Sequence, residues 1–190
     1  DWSADSRRLL TEYVRRGFTG HGIIEFEVAK KQWHRLLSEE DPKFVYSFAT
    51  RFRHDLADGR TLWLSERSGW LQLYAVDLRD GHTLFPVTQG RWVAREIIKV
   101  DEKAGRIVLV ALGRNSGENP YHQHFCSVGL DGKGLVDLTP ADGNHEVVFS
   151  PDGRTLVDFS SKVDEPPSFT LRSAADGHAI ARLEIGRAHV

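Results

Sequence analysis

The sequence predicts an all-β fold, a partial β-propeller of about four antiparallel four-stranded blades, and three observations predict it. The first is the corner Ser150-Pro151-Asp152-Gly153, set between Val147 to Ser150 and Thr155 to Ser160. Proline fixes φ, aspartate bonds its own backbone and glycine accepts φ > 0, while the β-branched and aromatic flanks read as two antiparallel strands. The second is recurrence. Asp58-Gly59-Arg60-Thr61-Leu62 returns unchanged 94 residues later as Asp152-Gly153-Arg154-Thr155-Leu156, Gly105-Arg106 sits almost midway, and Ser3-Ala4-Asp5-Ser6-Arg7 is a poorer copy. The third is a strand, glycine turn, strand unit between the corners: Leu73 to Thr88, Phe125 to Thr139, Leu171 to Leu183, and Glu27 to Leu37 with Lys30-Lys31 in place of glycine. The period is 46 to 53 residues with two hairpins in each. Four strands per roughly 40–50 residues marks propeller blades; leucine-rich or tetratricopeptide arrays would be shorter and helical.

Taken in order, the approximate blades are 1–42, 43–90, 91–140 and 141–186, a single fragment of one propeller domain. Arg8 to Arg15 and Gly22 to Ala29 pair first, through Gly17 and Gly20, and Leu36 to Pro42 reads as a polar connection with a solvated turn at Ser38-Glu39-Glu40-Asp41. Phe44 to Phe52 opens the second blade, and Thr61 to Glu66 with Trp70 to Asp77 forms a hairpin turned at Ser68-Gly69. Trp63, Leu64, Trp70, Leu71, Leu73, Tyr74 and Val76 give this blade an apolar load suited to packing between radially arranged sheets, although an aromatic row can also be a sugar or peptide platform. Trp92 to Val100 and Arg106 to Leu112 open the third blade, followed by a polar excursion over Gly113 to Pro120 and a strand over His122 to Val128. The fourth blade begins at Glu146 and ends with Ser168 to Arg172 and Ala179 to Glu184, and the adjacent prolines make Val163 to Pro167 a rim loop.

The composition is that of a globular chain: 190 residues, 40% hydrophobic, 27% charged. A net charge of −2 leaves no positive field for phosphates or an anionic membrane, so nucleic acid is not an expected partner. The longest apolar run, Ile107 to Leu112, is far short of the ~20 residues of a membrane-spanning helix. One cysteine, Cys126, rules out an internal disulfide framework, and the lack of any methionine reads as a piece of a longer chain.

Few residues suggest chemistry. His122, His124 and Cys126 recur at i, i+2 and i+4, which puts them on one face of a strand within reach of one metal; with no fourth ligand evident, the expectation is no metal and a cysteine that packs. The same three could form a thiol site, given a base and an electropositive setting. Glu39-Glu40 could clamp an amine or divide acid and base roles, but nothing nearby implies burial. Gly113-Arg114-Asn115-Ser116-Gly117 has its serine one place too late for a nucleophile elbow, and Gly129 to Gly134 lacks the spacing and the Ser/Thr of a phosphate loop, so it is a turn.

Several stretches together resemble one family. Leu62-Trp63-Leu64-Ser65-Glu66-Arg67-Ser68-Gly69-Trp70, then Leu73-Tyr74 and Asp77-Leu78, follow the string W-x-S-E-R-(D/S)-G-(W/Y)-x-x-(L/I)-Y-x-x-D-L. Asn119-Pro120-Tyr121 with His124, Leu138-Thr139-Pro140, the Ser150 to Gly153 corner, Val157-Asp158, Ser161, Val163-Asp164, Pro166-Pro167 and Leu171-Arg172 continue in family order. From about Arg51 to Glu184 the chain is similar to the N-terminal β-propeller of dipeptidyl peptidase IV-type serine peptidases, in the prolyl oligopeptidase group.

The resemblance implies an eight-bladed propeller stacked on a C-terminal α/β-hydrolase domain with a Ser-Asp-His triad, a domain absent from this sequence. It implies no catalytic residue and no cofactor in this chain, and a bacterial parent that releases amino-terminal dipeptides with proline or alanine second. The family's paired glutamates that hold the substrate's amino terminus would lie upstream of Asp1, and Glu39-Glu40 does not take that role. Phe52-Arg53 matches a pair that lines the substrate side, so these are the substrate-binding expectation, and Cys126 replaces an aromatic, as a packing variant would. The expected partners are a peptide substrate and the parent's own hydrolase domain, in a periplasmic or secreted setting, with self-association through unpaired blade flanks. The rival readings are a stand-alone propeller that binds a ligand or protein, and a metal or thiol enzyme at His122, His124 and Cys126.

Overall fold

The computed structural model describes residues 1–3, 5–46 and 51–183, and among these no helix forms, so none could cross a membrane. Antiparallel pairing builds four sheets. The first holds β1 (Arg8–Val14), β2 (Gly20–Glu27) and β3 (Gln32–Glu40); the second holds β4 (Arg53–Asp55), β5 (Arg60–Ser65), β6 (Gln72–Asp77) and β7 (Thr83–Pro86). The third holds β8 (Val93–Asp101), β9 (Arg106–Leu112), β10 (Gln123–Gly129) and β11 (Val136–Asp137); the fourth holds β12 (Asn144–Phe149), β13 (Thr155–Ser161), β14 (Ser168–Ser173) and β15 (Ala179–Leu183). The fold class is the expected one, all-β and a partial propeller, with three strands rather than four in the first sheet and a single bridge, Trp2 to Leu9, on the outer side of β1. The chain divides into two compact units, Asp1–Pro86 and Val87–Val190, each with two of the sheets.

The recurring corner is one hydrogen-bonded device. At Ser150, the backbone N–H donates to Thr155 O (2.9 Å), the carbonyl accepts from Gly153 N (2.9 Å), and the hydroxyl donates to Asp152 Oδ1 (2.6 Å) while accepting from Thr155 N (3.1 Å). Ser3 repeats each bond with Arg8, Ser6 and Asp5, and Ser6 takes φ 55 where Gly153 takes φ 70. Ala4 of that copy lies outside the described residues. Serine can occupy the left-handed region only at a cost that glycine avoids, which is why the first copy reads weakly in sequence.

A second device closes the outer hairpins. Asp77 N donates to His82 O (3.0 Å) and Gly81 N to Asp77 O (2.7 Å); Ser173 N donates to His178 O (3.0 Å) and Gly177 N to Ser173 O (2.9 Å). In the first sheet Lys31 holds φ 52 in the place of the glycine, as the Lys30-Lys31 substitution predicts.

Each unit has its own core. Ile23, Leu37, Trp63, Tyr74 and Val76 pack together in the first, with Leu10, Leu36 and Leu78 against them; Val110, Phe125, Leu138 and Leu156 do so in the second. Trp63 is fully buried, whereas Trp70, placed with it in the apolar row, is 37% exposed on the β5–β6 loop.

Two segments depart from expectation. Ser38, Glu39 and Glu40 of the expected solvated turn, with Leu36 and Leu37 of the expected polar connection, are instead the end of β3, because Leu37 alternates inward and Glu39 accepts from the buried Trp63. Among the described residues the second sheet opens at Arg53, and Phe44 to Tyr46, Arg51 and Phe52 form no strand; residues 47–50 of that expected strand lie outside the described residues.

Candidate functional site

Antiparallel order puts the tight corners at one end of each sheet. The loop between its second and third strands, and the connection to the next sheet, sit at the other. His21 with Glu39 and Arg67, and Glu118 with His122 and His124, sit at this second end, while Asp77, Asp80 and His82 sit at the first.

In the first unit a cavity of roughly 460 Å³ opens there, lined among others by His21, Glu39, Phe44, Leu64, Arg67 and Leu71. Its wall is the Ser65 to Gly69 loop of the family string. Trp63 stacks on His21 (centroids 5.0 Å apart, 23° between planes) and donates from Nε1 to Glu39 Oε1 at 3.2 Å. The Arg67 guanidinium pairs with the same carboxylate, donates from Nε to Ser65 Oγ at 2.9 Å, and lies 4.7 Å over the Tyr74 ring. His21 is 5% exposed and its Nδ1 is buried without a hydrogen-bond partner. Burial pushes its pKa down, Glu39 opposing and Arg51 reinforcing, so the imidazole is neutral at pH 7. Glu40 is spent on Arg15 and Arg35 at the surface, so Glu39 and Glu40 do not act as a pair.

Phe52 and Arg53 stand at the same end of the second sheet but do not line the cavity. Phe52 O accepts from Leu64 N at 3.3 Å, and its ring stacks on His54 (6.4 Å, 6°). Arg53 is gripped by Asp55 through Nε and Nη2 (3.1 and 2.5 Å), with the Asp1 carboxylate 3.6 Å from Nη1.

In the second unit His122, His124 and Cys126 do not converge on one metal. β10 begins at Gln123, so His122 falls in the preceding loop and turns towards Asp142, with Nδ1 3.4 Å from Oδ1. His124, 3% exposed, has Nδ1 3.0 Å from Thr139 O and Nε2 2.7 Å from Glu118 Oε2. Cys126 is fully buried, its Sγ 3.2 Å from Asp137 Oδ1, and burial lifts its thiol pKa to about 11, with Arg114 opposing. A thiol held that high is a poor nucleophile at neutral pH.

Sequence reasoning missed a buried polar chain beside His124. The His145 ring lies 5.0 Å from that of His124; its Nδ1 is 2.7 Å from Asp158 Oδ1 and its Nε2 2.8 Å from Ala141 O. Arg172 Nε donates to Asp158 Oδ2 at 2.8 Å and Nη1 to Gly177 O at 3.2 Å. Burial works to raise the Asp158 pKa, but the bonds from His145 and Arg172 outweigh it and hold the carboxyl below its ordinary value. The available signal was alternation: Asp158 and Arg172 fall at inward positions of β13 and β14, where apolar residues are expected. Two further groups bring metal-capable atoms together, Glu118, His122 and Asp142, and Asp77, Asp80 and His82.

Four antiparallel sheets with two repeated turn devices define a propeller module. The chain belongs to the family described as dipeptidyl peptidase IV (DPP IV) N-terminal region, whose model matches residues 1–167. Among solved structures it is similar to Porphyromonas gingivalis dipeptidyl peptidase 4 (TM-score 0.69, 17% identity, 94% of this chain and 24% of that one). It is also similar to a Bacteroides ovatus protein assigned as a dipeptidyl aminopeptidase IV (0.67, 18%, 97% and 28%) and to puromycin hydrolase (0.57, 14%, 98% and 29%). At these identities the likeness is one of fold, and the chain spans about a quarter of the length of those proteins.

Proposed function

We propose that this chain is the noncatalytic propeller portion of a dipeptidyl peptidase IV-like serine exopeptidase, which narrows access to a hydrolase domain outside this sequence and helps fix the peptide substrate. The family match over residues 1–167 carries the reading, and the family string forming a cavity wall supports it. The propeller's contribution is positioning and exclusion: short extended peptides pass where folded proteins do not, and contacts remote from the reacting bond orient it. Phe52 and Arg53 are the residues proposed to meet the substrate, Arg53 through a guanidinium already aligned by Asp55.

The chain alone is expected to release nothing from a chromogenic dipeptidyl amide with proline second. Turnover that survives repurification would overturn the assignment of chemistry to the missing domain. In the full-length parent, Phe52→Ala and Arg53→Ala are expected to raise KM about tenfold with kcat little changed, the pattern of lost uniform binding. An unchanged KM for both would remove these residues from the substrate path.

A further inference from the structure

We propose that Glu118, His122 and Asp142 form a binding site for one borderline divalent transition-metal ion of the zinc type, which ties the loop after β9 to the connection between β11 and β12. One imidazole nitrogen and two carboxylates place a ligand atom each within 4.8 Å of one another. Around a tetrahedral ion with bonds of about 2.1 Å, ligand atoms stand about 3.4 Å apart. His122 Nδ1 and Asp142 Oδ1, 3.4 Å apart, already have that spacing, and no pair of the three need close by more than about 1.4 Å. The donor set selects the ion: calcium and magnesium take oxygen ligands, whereas mixed imidazole and carboxylate suits zinc and its neighbours.

Two independent features show more than a chance grouping of charges. The first is His122 Nδ1, a buried atom whose 3.4 Å approach to Asp142 Oδ1 is an ion-pair distance without hydrogen-bond geometry; a polar atom held so costs free energy that a bound ion would recover. The second is that groups outside the trio orient its carboxylates. Glu118 Oε2 lies 2.7 Å from His124 Nε2 and its Oε1 accepts from Asn115 Nδ2 at 3.1 Å; Lys162 Nζ donates to Asp142 Oδ2 at 3.0 Å, leaving Oδ1 towards His122. Such outer partners, by fixing the direction of each ligand, are characteristic of protein metal sites. The ammonium of Lys162 opposes a second cation, and three protein ligands leave positions for water, so affinity falls below that of a four-ligand structural zinc site.

The second trio leaves no buried side-chain atom without a hydrogen-bond partner and serves as the control. Arg79 occupies both oxygens of Asp77 (Nε at 3.0 and 2.9 Å), and His82 Nδ1 closes on Asp80 at 2.5 Å.

The test is calorimetric titration of the untagged chain with zinc chloride, repeated with calcium chloride. One saturable zinc equivalent is expected, with at least a tenfold loss of affinity in His122→Ala and in Asp142→Asn, none in His82→Ala, and no saturable calcium binding. Absence of saturable zinc binding, or equal affinity in His122→Ala, would overturn the site. Cobalt(II) added to the unmutated chain supplies a readout independent of variant folding. Visible absorption bands displaced by one equivalent of zinc are expected, and a spectrum identical to cobalt in buffer would count against it.

Discussion

Gly81 lies so close to Leu36 that a Cβ added to it would stand 1.4 Å from the Leu36 carbonyl oxygen. The outer-hairpin turn of the second sheet is thus seated on the backbone of β3 in the first. Gly177 does the same in the second unit, where a Cβ would meet Asp137 O at 2.2 Å. One turn, repeated with the same Asp-Gly-His sequence, is the contact by which each of these sheets rests on the one before it in its unit. Glycine is required twice over, by φ of 75° and 74° and by backbone contact that no side chain can yield to.

Gly81→Ala and Gly177→Ala are therefore expected to cost about 3 kcal/mol or more, because the turn must lift from its neighbour. Gly59→Ala is the control: φ is 90°, but nothing lies within 4 Å of its Cβ position, so only the left-handed backbone cost of about 1–2 kcal/mol remains. Urea denaturation of the three variants decides it. Equal losses would mean that the turns do not dock in solution.

Asp158 makes the second unit sensitive to acid. Its folded-state pKa is depressed, since the bonds from His145 and Arg172 overcome the effect of burial. A depressed carboxyl contributes stability above its unfolded value of about 3.9 and loses it as pH falls through the folded value. Asp158→Asn is expected to flatten stability against pH below about 4 and to lower it at pH 7 by about 3–5 kcal/mol, because Arg172 is left buried without its counter-charge. Melting curves from pH 7 to pH 3 check both parts. A variant as stable as the parent at neutrality would show that Arg172 reaches water or another partner.

The sheets were legible because their turns have chemical signatures. The Asp-Gly-Arg-Thr-Leu corners and the Asp-Gly-His turns fix a hairpin within five or six residues, so no long-range information is needed to place β5, β6, β13 or β14. Where a strand carries its polar residues inward, the local signal fails. Ser38-Glu39-Glu40 reads as solvated, yet Glu39 is drawn into β3 by Trp63 Nε1 and Arg67, partners more than twenty positions away. The same limit explains the histidines. Alternation correctly places His124 and Cys126 on one face of β10, but the strand begins one residue after His122, and that shift hands His122 to Asp142 across the loop. A spacing argument assumes that the strand covers all its members.

His21 gives the first unit a pH response of a different range. Its folded-state pKa is lowered, burial being the chief cause, so the unfolded chain binds the proton more readily than the folded one. Stability is then full above the unfolded value of about 6.5 and declines as pH falls from there through the folded value, below which this contribution is constant. His21→Phe preserves an aromatic ring against Trp63 and removes the titration, so the variant's stability relative to the parent is expected to rise as pH is lowered from about 7 to about 5. Contributions common to both proteins cancel in that difference. A difference that stays constant across the range would place a proton on His21 as easily in the folded chain as in the unfolded one, and the stack on Trp63 would then not be a dry contact.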